Sequence, residues 1–316
     1  MPPETPPNRK AAHLADPLAL MQIKSLALRA RVVVDGLVSG LHRSPTTGFS
    51  SEFNEYRQYS PGDDLRYFDW KVFAKCDRSY IKKFEDETNL RCLLVTDYSH
   101  SMQFSSGSIS KLEYASTLAA TLAWFINWQR DAVGLAVFNE RLVDFLPPKC
   151  RKEHLERLIR ALESPVGGRE THLSRALEDI GLLMKKRGMV ILISDFLSPL
   201  DRLMKGLREV ASAGHDVRVF RVLDPEELQF SFSQTAVFRD MESAREIFLD
   251  PVTARDEYVE KFQHHTDELE HELNGLGVIN HTVTTDQPYG LVLGRFLRDR
   301  PQTSRVTRSA RQGRYR

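Results

Sequence analysis

Three oxygen-bearing side chains with alternate spacing follow a short apolar run, and together they could bind a metal ion. Asp97, Ser99 and Ser101 come directly after residues 92–95, Cys-Leu-Leu-Val, which predict a strand buried on both faces. The spacing can turn one carboxylate and two hydroxyls to the same side of a tight loop. Mg²⁺ prefers six oxygen ligands and usually keeps several waters. The run therefore indicates part of a divalent-cation site, and other loops must complete it.

Two further oxygen donors lie where such loops are expected. Thr171 follows the loop 167–170 and precedes a predicted helix, and Asp195 ends the predicted strand Met189–Ser194. In an open α/β sheet, ligands bind beyond the carboxyl ends of the strands. Each of these residues taken alone is an ordinary turn or helix-cap residue. The ordered set of five favours a metal site over unrelated turns.

The five residues Asp97, Ser99, Ser101, Thr171 and Asp195 resemble the metal-ion-dependent adhesion site of von Willebrand factor A domains. The resemblance implies Mg²⁺, or Mn²⁺ or Ca²⁺, as the cofactor. It also implies that the hydroxyls reach the metal directly or through water and that the acids bind largely through water. One coordination position is then open for the carboxylate of a partner. The intervening residue 100 is a histidine, which a hard cation does not prefer, so we expect it at the rim of the site.

The elements that must position these residues alternate between strand and helix. This alternation predicts an α/β fold with a doubly wound, mostly parallel sheet and helices on both faces. A helix over residues 17–40 and a small strand-rich segment precede it, and a hairpin is expected within 238–249. The predicted strands are 91–96, 132–138, 141–146, 189–194, 217–223 and 278–283, and the predicted helices are 111–130, 152–162, 173–185, 200–212, 254–273 and 289–297.

Residues 48–90 alternate aromatic and charged side chains, which favours short strands and turns over a long helix. The segment is similar to the signature of the family catalogued as domain of unknown function 58, which places it just before a von Willebrand A-like domain. The resemblance covers roughly residues 17–297 and rests on a long motif: Gly48-Phe49-x-x-x-Phe53-x-Glu55-x-Arg57-x-Tyr59-x-x-Gly62-Asp63-Asp64-x-Arg66-x-x-Asp69-Trp70, then Lys75 and residues 84–87.

The polar and aromatic members of this signature have two interpretations. They form either an ion-paired network that braces the segment against the α/β domain or a contact surface for a partner. The residues concerned are Glu55, Arg57, Tyr59, Asp63, Asp64, Arg66, Asp69 and Trp70.

Composition sets the broad class and the expected division of the chain. The 316 residues carry a formal net charge of +1, so no global field attracts nucleic acid or a membrane. No apolar stretch reaches the ~20 residues of a membrane span, and no signal-peptide core is found, so we expect a cytoplasmic protein. The predicted segments are a disordered N-terminus (1–15), a helix (16–47), the signature (48–90), the α/β domain (91–297) and a disordered basic tail (298–316).

The functional hypotheses differ in class. No nucleotide-binding GxxxxGK[ST], GxSxG or HExxH motif occurs, which favours a non-enzymatic, metal-dependent interaction module. The resemblance implies MoxR-type AAA+ ATPases and other von Willebrand A proteins as partners, in a bacterial assembly or chaperone-like system. The alternative is a metal-dependent hydrolase, motivated by the acids of residues 63–69. A third hypothesis is binding of an anionic polymer by the arginine-rich tail, which is otherwise a solubilising end.

Overall fold

A computed structural model describes residues 16–41, 56–58, 73, 80–82, 90–139, 142–164, 173–232, 236–239 and 246–299 of the chain. The helices are α1 (Pro17–Met21), α2 (Leu26–Leu41), α3 (Lys111–Trp128), α4 (Lys152–Glu163), α5 (Leu173–Leu183), α6 (Leu200–Ser212), α7 (Pro225–Gln229), α8 (Pro251–Gly275) and α9 (Tyr289–Arg298). The strands are β1 (Tyr56–Gln58), β2 (Tyr80–Lys82), β3 (Arg91–Asp97), β4 (Ala132–Phe138), β5 (Leu142–Lys149), β6 (Met189–Ser194), β7 (Asp216–Leu223), β8 (Ala236–Arg239), β9 (Glu246–Leu249) and β10 (Ile279–Thr284).

Six strands form the central sheet, in the order β10-β7-β6-β3-β4-β5. Every neighbouring pair is parallel except β4 and β5, which are antiparallel. From β3 the chain adds β4 and β5 on one side, and it then adds β6, β7 and β10 on the other. The strand order therefore reverses between β3 and β6. In open α/β sheets this reversal leaves a crevice beyond the carboxyl ends of the two strands, where ligands bind.

Helices cover both faces of the sheet, as the sequence predicted. Along β3, Cys92 and Leu94 pack into one apolar core with α2, α3, α4 and α9. The alternate residues Leu93 and Val95 pack into a second core with α5, α6 and α8. Successive strand residues point to opposite faces, so a strand covered on both sides must be apolar throughout. The predicted fold class, α/β with a doubly wound, mostly parallel sheet, is confirmed.

The helix α3 is apolar on nearly all sides because it is covered on nearly all sides. Its inner face packs on the sheet, and α2 covers its outer face through Ala30 and Val33. Ser110 begins the helix with a capping box, in which its side chain accepts from the backbone N–H of Glu113 and the Glu113 side chain accepts in return. This cap fixes the start of the helix, and so the position of the next residue, beside the crevice.

The prediction of one helix over residues 17–40 was wrong, because the chain breaks between α1 and α2. Ser25 and Glu163 supply acceptors that allow a new helix to begin there. The Glu163 side chain accepts from the backbone N–H of Leu26 at 3.2 Å, and Ser25 Oγ accepts from that of Leu28 at 3.4 Å. These bonds satisfy N–H groups that a helix N-terminus leaves free. Since Glu163 is distant in sequence, the pattern of residues 17–40 alone does not reveal the break.

Several other elements differ from their predicted bounds, most of them by one or two residues. Strand β5 continues through Pro147 and Pro148 to Lys149, which an edge strand tolerates because its outer N–H groups need no partner. Helix α8 begins at Pro251, where Asp250 caps the first turn. The expected hairpin is present as β8 and β9, which are antiparallel. Within the described ranges, no helix is long and apolar enough to cross a membrane.

The predicted division into five segments stays a prediction. The supposedly disordered residues 1–15 lie outside the described residues, as does nearly all of the basic tail. Within the signature segment, the strands β1 and β2 pair antiparallel, with Arg57 opposite Ile81.

Candidate metal centre

Asp97 is the last residue of β3, and its side chain is held from two directions. It is fully buried at the carboxyl end of the strand. One carboxylate oxygen, Oδ1, accepts from the backbone N–H of Ser99 at 2.9 Å. The other, Oδ2, accepts from the hydroxyl of Ser194 at the end of β6, at 2.6 Å. The carboxylate is therefore fixed in the crevice between β3 and β6.

The two serines of the motif lie side by side in the loop after β3. The hydroxyl oxygens of Ser99 and Ser101 are 3.0 Å apart. Ser99 is buried, whereas Ser101 is half-buried and begins a short 3-10 turn. The alternate spacing thus brings two hydroxyls together next to Asp97.

Tyr98 points away from this group and anchors the loop to the helices behind it. Its hydroxyl donates to the backbone oxygen of Leu162 at 2.6 Å and bonds to the hydroxyl of Ser116 at 3.1 Å. Burial raises the pKa of Tyr98 to about 12, so the phenol is neutral at physiological pH. Tyr98, which lies between Asp97 and Ser99 in the chain, therefore holds the loop against α3 and α4.

Asp195 follows β6 directly and faces the same crevice. Its Oδ1 accepts from the backbone N–H of Leu197 at 3.3 Å. Burial, and next the negative charge of Asp195, raise the pKa of Asp97 to about 7. The two carboxylates are thus close enough to repel each other in a site with little access to water. A cation between them would remove that repulsion.

The donor set fits a hard divalent cation. The contributing atoms are the carboxylate oxygens of Asp97 and Asp195 and the hydroxyl oxygens of Ser99 and Ser101, and Mg²⁺, Ca²⁺ and Mn²⁺ prefer such ligands. The described part of the chain contains no group of three or more His, Cys, Asp or Glu side chains placed for a metal. A cation here would therefore depend on two acids, hydroxyls and water, as the resemblance implies.

The remaining predicted site residues have different outcomes. Thr171 lies outside the described residues, so its part in the site stays a prediction. His100 is half-buried in the loop, and its Nδ1 has no hydrogen-bond partner. Of the signature set, only Arg57 falls within the described residues, in β1. The other seven lie outside them, so the choice between an ion-paired network and a contact surface stays open.

Sequence reasoning missed Lys111, the first residue of α3. Its side chain is fully buried, and its Nζ lies 2.8 Å from Asp195 Oδ2 and 2.5 Å from Glu227 Oε1. Burial alone would lower the pKa of Lys111, but the two carboxylates outweigh it and the pKa is raised, so the ammonium stays charged. A lysine in the first turn of a buried helix opposes the helix dipole. The sequence does not show that this lysine is buried, so its contact with Asp195 had no signal there.

Glu227 belongs to α7, behind the site. Burial raises its pKa, although the ammonium of Lys111 opposes the rise. Its second oxygen accepts from the backbone N–H of Asp224 at 2.9 Å. Its backbone oxygen accepts from the hydroxyl of Tyr258 on α8 at 2.9 Å. Lys111 and Glu227 therefore connect the carboxylate of Asp195 to the helices behind the crevice.

Arg221 is a second buried cation in this wall. Its Nε donates to the backbone oxygen of Asp195 at 3.2 Å, and its Nη1 donates to Thr266 on α8 at 2.9 Å. The guanidinium also lies 5.2 Å from the centre of the Phe262 ring. Arg221 therefore ties the end of β6, where Asp195 lies, to helix α8.

Comparison with known proteins gives a family and several relatives. The profile of a family described as "Protein of unknown function DUF58" matches residues 55–268, more than half of the chain. Uncharacterized proteins of Mycobacterium bovis and Mycobacterium tuberculosis are each 28% identical over 301 residues, which span 93% of this chain and 94% of theirs.

Solved structures with a similar fold include the conserved hypothetical protein BatB from Bacteroides thetaiotaomicron. It has a TM-score of 0.43 and 19% identity, and the match covers 66% of this chain and 99% of that one. The SpRpn10 VWA domain has a TM-score of 0.42 and 9% identity, and the match covers 66% of this chain and 95% of that one.

Proposed function

This chain is a member of the DUF58 family, and we propose that its α/β domain binds a partner protein through a divalent cation. The cation is Mg²⁺, or Mn²⁺ or Ca²⁺, and it is held by Asp97, Ser99, Ser101 and Asp195, with Thr171 completing the set. A glutamate or aspartate of the partner takes the open coordination position. The observation that carries the proposal is the meeting of two buried carboxylates and two hydroxyls at the point where the strand order reverses.

The protein supplies orientation and a largely buried setting for the carboxylates. The N–H of Ser99 and the hydroxyl of Ser194 hold the carboxylate of Asp97 in one orientation. Such supporting hydrogen bonds fix the direction of a ligand and tune its charge. Tyr98 ties the serine loop to α3 and α4, and Lys111 fixes one oxygen of Asp195. When bound, the cation offers a position that attracts an oxygen ligand, and a carboxylate is the side chain best suited to it.

The partner class comes from the sequence resemblance. We propose a MoxR-type AAA+ ATPase, another von Willebrand A protein, or both, with this chain as adaptor or recruiting partner in a cytoplasmic assembly or chaperone-like system of bacteria. The net charge of +1 gives no reason to add nucleic acid or a membrane surface.

Calorimetry tests the metal claim. Wild type should bind Mg²⁺ or Mn²⁺, Asp97→Ala should not, and Asp256→Ala, which removes an exposed carboxylate on α8, should bind like wild type. Equal binding by wild type and Asp97→Ala refutes the proposal. Capture of partners from the native host, with and without EDTA, tests the interaction. The expected partner is retained by wild type in Mg²⁺ and is lost with EDTA or with Asp97→Ala.

The metal-dependent hydrolase remains the alternative, and one screen separates the two. Phosphate esters and peptides are incubated with wild type and with Asp97→Ala in Mg²⁺ or Mn²⁺. Turnover by wild type that disappears in the variant would replace the interaction module with an enzyme.

A further inference from the structure

Burying the charged side chain of Lys111 at this position is energetically unfavourable. It is fully buried, it occupies the first turn of α3, and its ammonium lies at the positive end of the helix dipole. A buried charge of this kind is tolerated only when opposite charges and hydrogen bonds compensate it. The compensation comes from Asp195 and Glu227, and one of these is a member of the candidate metal site.

Asp195 is therefore shared between two cations. Its Oδ2 accepts from Lys111 at 2.8 Å, while from the described residues its Oδ1 accepts a long bond of 3.3 Å, from the N–H of Leu197. Oδ2 is bonded to the ammonium of Lys111, and Oδ1 is the oxygen available to a metal ion or to a water bound to it. The ammonium also cancels part of the negative charge that Asp195 offers to the site.

We propose that Lys111 is a positioning residue that holds Asp195 for the cation and, by neutralising part of its charge, lowers the affinity of the site for the cation alone. The carboxylate of a partner then supplies the missing negative charge, so the cation and the partner bind together. Glu227 sets the strength of this effect because it shares the same ammonium. The inference rests on the proposed function, since it concerns the same metal site.

Three variants of the full chain test the charge argument. Lys111→Met keeps the approximate length of the side chain and removes its charge, so it should bind Mn²⁺ about tenfold tighter or more. Glu227→Gln keeps the shape and removes an opposing charge, so it should bind Mn²⁺ more weakly than wild type. The double variant removes one charge of each sign, and its affinity should return close to that of wild type.

The measurement is Mn²⁺ binding by calorimetry, together with the rise in melting temperature that Mn²⁺ produces. Lys111→Met should melt lower than wild type in EDTA, because Asp195 and Glu227 lose their ion pair with the ammonium, yet gain more on addition of Mn²⁺. A residue with a purely structural role would lower the melting temperature without increasing this gain. Lys205→Met, which breaks the exposed ion pair with Glu178, is the matched control and should leave Mn²⁺ affinity unchanged.

Each outcome has one meaning. A wild type that binds no Mn²⁺ overturns both the metal site and the role of Lys111. A wild type that binds Mn²⁺, with a Lys111→Met variant that binds it no tighter, overturns only the role of Lys111. If Lys111→Met does not fold even with Mn²⁺, Glu227→Gln decides: weaker binding than wild type supports the proposal, and unchanged affinity overturns it.

Discussion

Replacing Asp97 with asparagine should stabilise the metal-free protein. The carboxylate of Asp97 is fully buried and faces the charge of Asp195, and the two effects raise its pKa from 3.8 to about 7. Ionised Asp97 therefore destabilises the fold when no cation is present. Asparagine is nearly isosteric, and its amide can still accept from the N–H of Ser99 while Ser194 turns its hydroxyl to the new donor.

The magnitude follows from the pKa. Raising the pKa of Asp97 from 3.8 to about 7 corresponds to roughly 4 kcal/mol of destabilisation when the side chain is ionised. Asparagine forms weaker hydrogen bonds than a carboxylate does, and this loss of about 1–2 kcal/mol offsets part of the gain. In EDTA, we expect Asp97→Asn to increase the free energy of unfolding by about 2 kcal/mol at pH 8.

The stability gained by Asp97→Asn over wild type should depend on pH. Below pH 3.8, Asp97 is protonated in the folded and unfolded states, so it adds no pH dependence to the stability. Between pH 3.8 and about 7, the unfolded state loses the proton first, and the wild type loses stability as the pH rises. Above about pH 7 the loss is complete. The advantage of Asp97→Asn should therefore be small near pH 4.5 and largest at pH 8.

Urea unfolding in EDTA at several pH values measures this advantage. Asp256→Asn, which changes an exposed carboxylate, serves as the control and should not reproduce the trend. A difference between Asp97→Asn and wild type that is independent of pH, or a variant less stable than wild type at pH 8, would show that the charge of Asp97 does not destabilise the metal-free fold.

Three further substitutions have defined outcomes. Tyr98→Phe removes the hydroxyl that anchors the serine loop and should cost about 1–2 kcal/mol in urea unfolding, and a cost below 0.5 kcal/mol would contradict the anchoring role. Gly134→Ala would place a Cβ 2.6 Å from a backbone oxygen of β5, so the melting temperature should fall by several degrees, and an unchanged value would contradict the close approach. Ser194→Ala removes the hydroxyl that orients Asp97 and should weaken Mn²⁺ binding about tenfold in calorimetry, while equal affinity would show that this bond is not needed.

Much of the fold was predictable from local pattern. Strands β4 and β6 and helix α6 were predicted at their observed bounds, because their apolar residues are continuous or periodic and polar or turn-forming residues flank them. The break before Leu26 was not predictable in this way. It depends on Glu163, which is 137 residues away and becomes a neighbour only after the chain has folded.

Part of the candidate site was likewise predictable from the sequence, and part was not. Asp97, Ser99 and Ser101 lie in one loop, and Asp195 follows the strand adjacent to β3, so the α/β topology was enough to predict that they meet. The contact of Lys111 with Asp195 joins residues 84 apart in sequence, and its contact with Glu227 joins residues 116 apart. Neither has a motif, and only packing of α3 and α7 around the crevice brings the three charges together.

A crystal of the full chain grown or soaked with Mn²⁺ would show whether the cation binds at this site, because anomalous scattering locates the ion without assumptions about its ligands. We expect a peak within bonding distance of the hydroxyls of Ser99 and Ser101, between the carboxylates of Asp97 and Asp195, and no peak in Asp97→Ala. A fully soaked crystal with no ion at this position, or with the ion held elsewhere, would contradict the proposed metal site.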